Sequence, residues 1–483
     1  MKIKLPKIIK KNWPIILIIA LSFILLGKNL NKPFIGYHDW NSVVYGRSAK
    51  SIIGQSDLPG LYFQTHYPPL LPVFLGASFF IFGVNETAAR AVPFLAMSAT
   101  ALMIYFLGLK LWSKKEALAA ALFFLFTPLV RYFAKIPVHE TILPFFIVGQ
   151  FYFYWQWFKT GKIKYYWWLI VFFVIAQFIG WPGYYSVAWL SLHYLIFKKK
   201  RNYKLILNWW LLAFLMFALF FLFNLLVCGS GFLSGLWNIF LFRANLSDNS
   251  IGFSFKEFAG KELLWMRVYF TRILFFLTIL WGLINIVKVI KKKNLDEKTA
   301  FLLFLALSGF IHLLFFILVW FHDYMIIYLA PFVVLTAART LMVISKKIRF
   351  NYCILVFLII IGMYFESKDF LNALNKRNVF LPAKILGEEI KKNSKPGEVY
   401  LIGSRESGKI YGVYLEYYAD RIHENGEPTF DEFIKNEKDF RKKYRYFVID
   451  TAHNYLGQDL VDYLLKNYKW HQKDEFQIID LKL

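Results

Sequence analysis

Charge is scarce in this chain of 483 residues: only 18% are Asp, Glu, Lys or Arg, against 58% apolar and 20% aromatic. That balance excludes a water-soluble globular protein, because no soluble core of this length hides so much apolar surface. Cysteine is scarcer still. Cys228 and Cys353 both fall at or inside apolar runs with no C-x-x-C spacing, which argues against a metal knuckle and a disulfide framework. Acids are few, 31 against 57 Lys and Arg, for a net charge of +26. In a soluble protein such an excess suggests nucleic acid. Here the lysines sit in short blocks between apolar runs, where the positive-inside rule accounts for them, and no nucleic-acid partner is expected. The sequence has no internal repeat and no low-complexity tract, which counts against a transporter built from inverted halves. YLIGSRESG (400–408) lacks the G-x-G-x-x-G spacing of a dinucleotide site.

What is present is a series of apolar runs of about 17 to 25 residues, each long enough to cross about 30 Å of hydrocarbon as a helix. The first, 13–30, is too long for the core of a secretory signal and lacks a small-residue cleavage site, so it reads as a retained anchor. Placing KIKLPKIIKK (2–11), KLWSKKEA (110–117), KTGKIK (159–164), KKKRNYK (198–204), KVIKKK (288–293) and SKKIR (345–349) on the cytoplasmic side gives one consistent topology. It has crossings at 13–30, 88–111, 117–135, 139–158, 165–180, 182–197, 205–228, 268–290, 299–321, 323–343 and 350–366. The apolar run 68–84 breaks the count. It is short, opens with Pro68, Pro69 and Pro72, carries Gly76 and Gly83, and is expected to lie at the interface or to dip in and return.

The expected fold is an all-α polytopic membrane bundle of about eleven spans over 1–366, with a long first outer loop (31–87). A small extracytoplasmic α/β domain over 367–483 follows. Strands are expected at VYLIG (399–403), YFVID (446–450) and FQIIDL (476–481). The N-terminus is then cytoplasmic and the protein a multi-pass component of the cell membrane. WPGYY (181–185) reads as a tight outer turn, and 229–267 as a long outer connector, a candidate acceptor gate.

With that topology the acids and histidines away from the lysine blocks gather on the outer side: His38, Asp39, Asp57, His66, Glu86, His139, Glu140, His322 and Asp323. Ionisable groups at membrane depth are costly and are usually kept for a task, so their convergence from distant parts of the chain reads as a site. The plain alternative is solvation where helices emerge.

The order of these motifs is distinctive. A first outer loop opening with YHDW (37–40), then HYPPLLP (66–72), FGVNETAAR (82–90), a KLWSKKEALAAALFFLFTP hairpin leading to PVHET (137–141), and later HDYMIIYLAP (322–331) resemble the membrane glycosyltransferases of the GT-C fold. The likeness is to the branch holding the protein O-mannosyltransferases and the aminoarabinose transferases. That resemblance implies transfer of a sugar, with inversion, from a polyprenyl-phosphate donor to a glycan, lipid or protein acceptor at the outer face. A phosphate leaving group departs without a proton, so such a site needs chiefly one carboxylate to take the proton of the acceptor hydroxyl.

Asp39 matches the family's first-loop catalytic acid. Glu140 matches its second acid, where Asp is commoner; it orients the acceptor, holds a divalent cation with His38 or His66, or caps its helix. Arg90, Arg131 and Lys135 are candidates for the donor phosphate, with snorkelling to lipid headgroups as the plain alternative. His38, His66, Tyr67, His139, His322, Asp323 and Tyr324 are candidate pocket residues. His66 and Tyr67 occupy positions that carry an acid and a lysine in the aminoarabinose branch. A divalent cation is therefore a candidate cofactor that the resemblance does not carry over. The rival reading is a lipid-glycan flippase using the same charges as a vestibule.

Overall fold

The computed structural model describes residues 7–58, 67–244, 246, 254–292, 294–315, 322–452 and 456–482. The chain divides into two compact units, one of Met1–Asn31, Gln64–Leu71 and Arg90–Ala373, the other of Lys32–Phe63, Pro72–Ala89 and Leu374–Leu483. Helix Tyr352–Lys376 runs unbroken through the boundary expected at 366/367, and two stretches of the first outer loop belong to the unit that holds the C-terminal segment.

In the first unit a helix stands at each of the expected crossings. Among the described residues five segments, Glu86–Leu111, Tyr203–Cys228, Thr271–Lys291, Glu297–Leu314 and Asp323–Lys347, are long and apolar enough to span a membrane by length and composition. Local chemistry sets their ends. Ser113 and Glu116 close a reciprocal capping box at the head of Lys114–Phe126, and Glu116 then takes an ion pair from Arg339 at 2.7 Å. Gly161, at φ 67°, ends His139–Thr160 in the left-handed conformation and turns the chain into Ile163–Ile179. Those two helices approach closely at Gly149, where a Cβ would stand 2.1 Å from the Phe172 ring. Tyr203–Cys228 is apolar on all sides and keeps Leu211, Phe214 and Leu226 exposed, the surface of a helix that faces lipid.

Three places differ from the sequence reading. The crossing expected at 117–135 is two helices, Lys114–Phe126 and Pro128–Phe133. Pro128 has no N–H to continue the ladder, and the Thr127 hydroxyl caps the second helix by accepting from the Val130 N–H. The crossing at 323–343 opens with a 3-10 helix, Asp323–Leu329, before Ala330–Lys347. The connector 229–267 holds two helices, Gly231–Arg243 and Phe255–Tyr269, the latter announced by a Ser254–Glu257 capping box. The run at 68–84 forms one helix, Leu70–Phe82, about 20 Å long at 1.5 Å per residue and so shorter than the hydrocarbon core.

In the second unit, strands β1 (Val399–Ile402), β2 (Ile422–Asn425), β3 (Tyr444–Asp450), β4 (Lys469–Lys473) and β5 (Phe476–Asp480) form a sheet in the order β2-β1-β3-β5-β4. β2, β1 and β3 are parallel, joined through helix Arg405–Ala419 and the short helices Phe430–Lys435 and Glu437–Lys443, as parallel pairs require. β5 and β4 close the sheet antiparallel to β3. Strands β1, β3 and β5 match the sequence expectation. β2 and β4 are the two edges, and their polar residues (IHEN and KWHQK) carry no apolar alternation to reveal them. Phe433, Phe447, Ile449, Leu460, Leu464 and Ile479 form the core.

Candidate functional site

Asp39 belongs to the second unit. It ends a 3-10 turn, Tyr37–Asp39, that leads directly into helix Trp40–Ile52, and it is buried. The turn is set by Gly36, whose N–H donates to Asp39 Oδ2 at 2.9 Å, while the Ser42 hydroxyl donates to Oδ1 at 3.3 Å. A Cβ at position 36 would stand 3.0 Å from Oδ2, so glycine leaves that oxygen its room. The adjacent His38 is buried and meets the exposed Tyr37 ring edge-on at 4.9 Å; the Arg377 guanidinium lies 4.7 Å from the centre of that ring. Two other acids of this unit, which the sequence reading expects on the outer side, have structural partners. Asp57 pairs with Arg421 at 2.6 Å, and Glu86 accepts from the Tyr418 hydroxyl at 3.2 Å.

Glu140 belongs to the first unit, in the first turn of His139–Thr160, and is buried. The Tyr67 hydroxyl bonds its carboxylate. The same hydroxyl accepts from Arg243 Nη1 at 3.1 Å, so the phenol bridges an acid and a guanidinium. The His139 ring stacks on Tyr67, centroids 4.5 Å apart, and its Nε2 lies 3.3 Å from the Pro68 carbonyl. Burial raises the Tyr67 phenol above its ordinary pKa, against the pull of Arg243, so the hydroxyl keeps its proton. Arg243 was not among the sequence candidates. Its one signal is that it is the sole charge of the apolar helix Gly231–Arg243.

The candidate cations are engaged. Arg90 is buried and its Nη1 donates to the Lys135 carbonyl at 2.7 Å. Lys135 Nζ donates to the Lys28 carbonyl at 3.2 Å. Arg131 donates to the Ser367 hydroxyl at 3.3 Å, with its guanidinium 5.7 Å from the Tyr364 ring centre.

A third group in the first unit surrounds Asp323. The Tyr269 hydroxyl donates to Asp323 Oδ2 at 2.5 Å, and His322 Nδ1 lies 3.2 Å from the Tyr324 hydroxyl. Phe133 packs against both Tyr269 and Tyr324. Glu262, also absent from the sequence candidates, is buried near Asp323. Burial first and the Asp323 charge second push its carboxyl up to about 7. His66 lies outside the described residues. Among the described residues no group of three or more His, Cys, Asp or Glu side chains stands together as a metal-ligand set.

Comparison with known proteins places the fold. Residues 66–227 match the sequence profile of the dolichyl-phosphate-mannose-protein mannosyltransferases. Among curated proteins no sequence matches this chain significantly. Among solved structures, ArnT from Cupriavidus metallidurans, bound to undecaprenyl phosphate, superposes with a TM-score of 0.65 at 10% identity, covering 99% of this chain and 98% of ArnT. The Archaeoglobus fulgidus oligosaccharyltransferase superposes in its apo form with a TM-score of 0.60 at 15% identity, over 92% of this chain and 70% of that one. The same enzyme, AglB, in complex with an inhibitory peptide and a dolichol-phosphate, gives 0.58 at 14%, over 92% and 70%. The chain thus has the fold shared by these membrane glycosyltransferases.

Proposed function

We propose that this protein is an inverting membrane glycosyltransferase. In this reading it moves a sugar from a polyprenyl-phosphate carrier to an acceptor hydroxyl at the outer face of the membrane, with Asp39 as the base. The observation that carries the reading is the Asp39 carboxylate itself, buried, with both oxygens aimed by local hydrogen bonds from Gly36 and Ser42. The match to the mannosyltransferase profile and the fold shared with ArnT and AglB support the donor class.

In the step proposed, the acceptor oxygen attacks the anomeric carbon as the bond from that carbon to the phosphate oxygen breaks, and the acceptor proton passes to Asp39. The polyprenyl phosphate leaves as the anion and takes no proton, so one base suffices. Arg131 and Lys135 are the residues proposed to meet the phosphate charge. Glu140, bridged through Tyr67 to Arg243, is proposed to orient the acceptor.

The test is mass spectrometry of products after incubating the purified full-length protein with a panel of polyprenyl-phosphate sugars and host envelope extract. A product heavier by one sugar supports transfer. Lipid movement across a vesicle with no glycosylated product at any stage would favour a flippase.

A further inference from the structure

We infer that the C-terminal α/β unit is the positioning device for Asp39: a buried Lys50–Asp420 ion pair, flanked by Arg47–Glu416 and Asp57–Arg421, fixes the first-loop helix that carries this carboxylate. The inference rests on the reading of Asp39 as the base.

Positions 47 and 50 lie on one face of helix Trp40–Ile52, and their partners stand at the C-terminal end of helix Arg405–Ala419. Lys50 is only 4% exposed; its Nζ donates to Asp420 Oδ2 at 3.0 Å and to the Tyr417 carbonyl at 3.0 Å. The second Asp420 oxygen accepts from the Ser56 hydroxyl at 3.0 Å, and Lys391 approaches Oδ2 at 3.9 Å. Arg47 pairs with Glu416, and Arg421 holds Asp57 at 2.6 Å while also donating to Ser394.

Asp420 stands just past the end of its helix with φ 55°, a left-handed position where glycine or asparagine is usual. The chain places an aspartate there, and that aspartate meets Lys50. Lys50 in turn sits at the negative pole of the same helix, where a cation is favoured.

A second clamp lies on the other side of Asp39. The Phe34 N–H donates to the Tyr418 hydroxyl at 2.8 Å, and the Phe380 N–H donates to the Ile35 carbonyl at 3.1 Å. Trp40 meets the Tyr414 ring edge-on, and Tyr414 stacks on Phe380 at 3.8 Å. Gly46 lets the helix approach so closely that a Cβ there would stand 2.7 Å from the Tyr417 ring. The turn 37–39 is therefore held before and after by the same unit.

Apolar packing would hold the two helices together equally well, since replacing a buried ion pair by hydrophobic residues is often neutral or stabilising. What directional charged bonds add is a single register, and a base misplaced by about 1 Å costs about 10²-fold in rate.

The test measures hydrogen exchange over residues 34–46 of the full-length protein in nanodiscs. Alongside it, kcat and KM are measured with whichever donor of the panel above gives product. Asp420→Asn is expected to speed exchange of 34–46 about tenfold and lower kcat about tenfold, with KM for the donor within about twofold and exchange of 444–450 unchanged. Lys50→Arg should keep protection and most of kcat. If Asp420→Asn does not fold, Asp57→Asn serves at the half-exposed end of the ladder, with the same pattern at about threefold. Unchanged exchange over 34–46 overturns the proposal, as does faster exchange with kcat unchanged while Asp39→Asn is inactive. An Asp39→Asn protein with full kcat overturns the base assignment instead, whatever the exchange shows.

Discussion

Tyr67 and Glu262 show what a residue type alone does not reveal. The Tyr67 hydroxyl is useful because it joins Glu140 to Arg243, and Arg243 lies 176 positions away along the chain. Tyr67→Phe removes the bridge and keeps the stacking on His139, so the account expects KM for the acceptor to rise with donor KM unchanged, measured by varying each in turn. Replacing Arg131 and Lys135 together by Gln should raise donor KM more than it lowers kcat, because contacts to phosphate exist in the ground state as well as in the transition state. An unchanged donor KM would return both to a structural role. Glu262 provides a pH test. A carboxyl whose folded pKa is raised to about 7 stabilises the fold below its unfolded value of 4.5, and that contribution is lost as pH rises through about 7. Glu262→Gln should therefore melt higher than wild type at pH 8 and match it near pH 4, by thermal unfolding in detergent. Asp39 and Glu140 stood out in the sequence as candidates because few acids border apolar runs, and both are buried. Arg243 and Glu262 did not stand out, because each is a charged residue in a connector whose helices bring it to partners elsewhere in the chain.

At the scale of elements, the sequence was most legible where one local signal decides. The lysine blocks and the apolar runs located the helices. The three inner strands were legible because their residues are buried and apolar, and the polar edges were not. The break at Thr127–Pro128 was written in the sequence, but hydrophobicity summed over a window passes over one missing N–H. Close helix approach is a pairwise property that no single segment shows, and Gly149 is the example. The Phe172 ring beside it is boxed by Phe145, Phe146 and Phe153, so it cannot swing aside for a methyl group. Gly149→Ala is expected to destabilise by about 1 to 3 kcal/mol, seen as a lower Tm with no change in donor KM at permissive temperature.

For the whole molecule, composition alone required a membrane protein, and the basic blocks proposed an order for its crossings. The division of the chain into units was less legible. Contacts that join residues 32–63 and 72–89 to 374–483 are made by pairs such as Lys50 with Asp420, hundreds of positions apart and invisible to any local pattern. The topology itself is testable. In a background with Cys228 and Cys353 replaced by Ser, cysteines at Asn85 and Asn393 should both react with an impermeant thiol reagent from the outer face; labelling of Asn85 only after membrane rupture would require 68–84 to cross. Whether Asp39 takes the proton of the acceptor is decided by single-turnover transfer with Asp39→Asn at saturating donor. This change keeps the side chain's size and most of its hydrogen bonds and removes the proton acceptor. The rate is expected to fall by about 10² to 10⁴ with donor affinity unchanged. Transfer at close to the wild-type rate would contradict it and leave Glu140 as the next candidate.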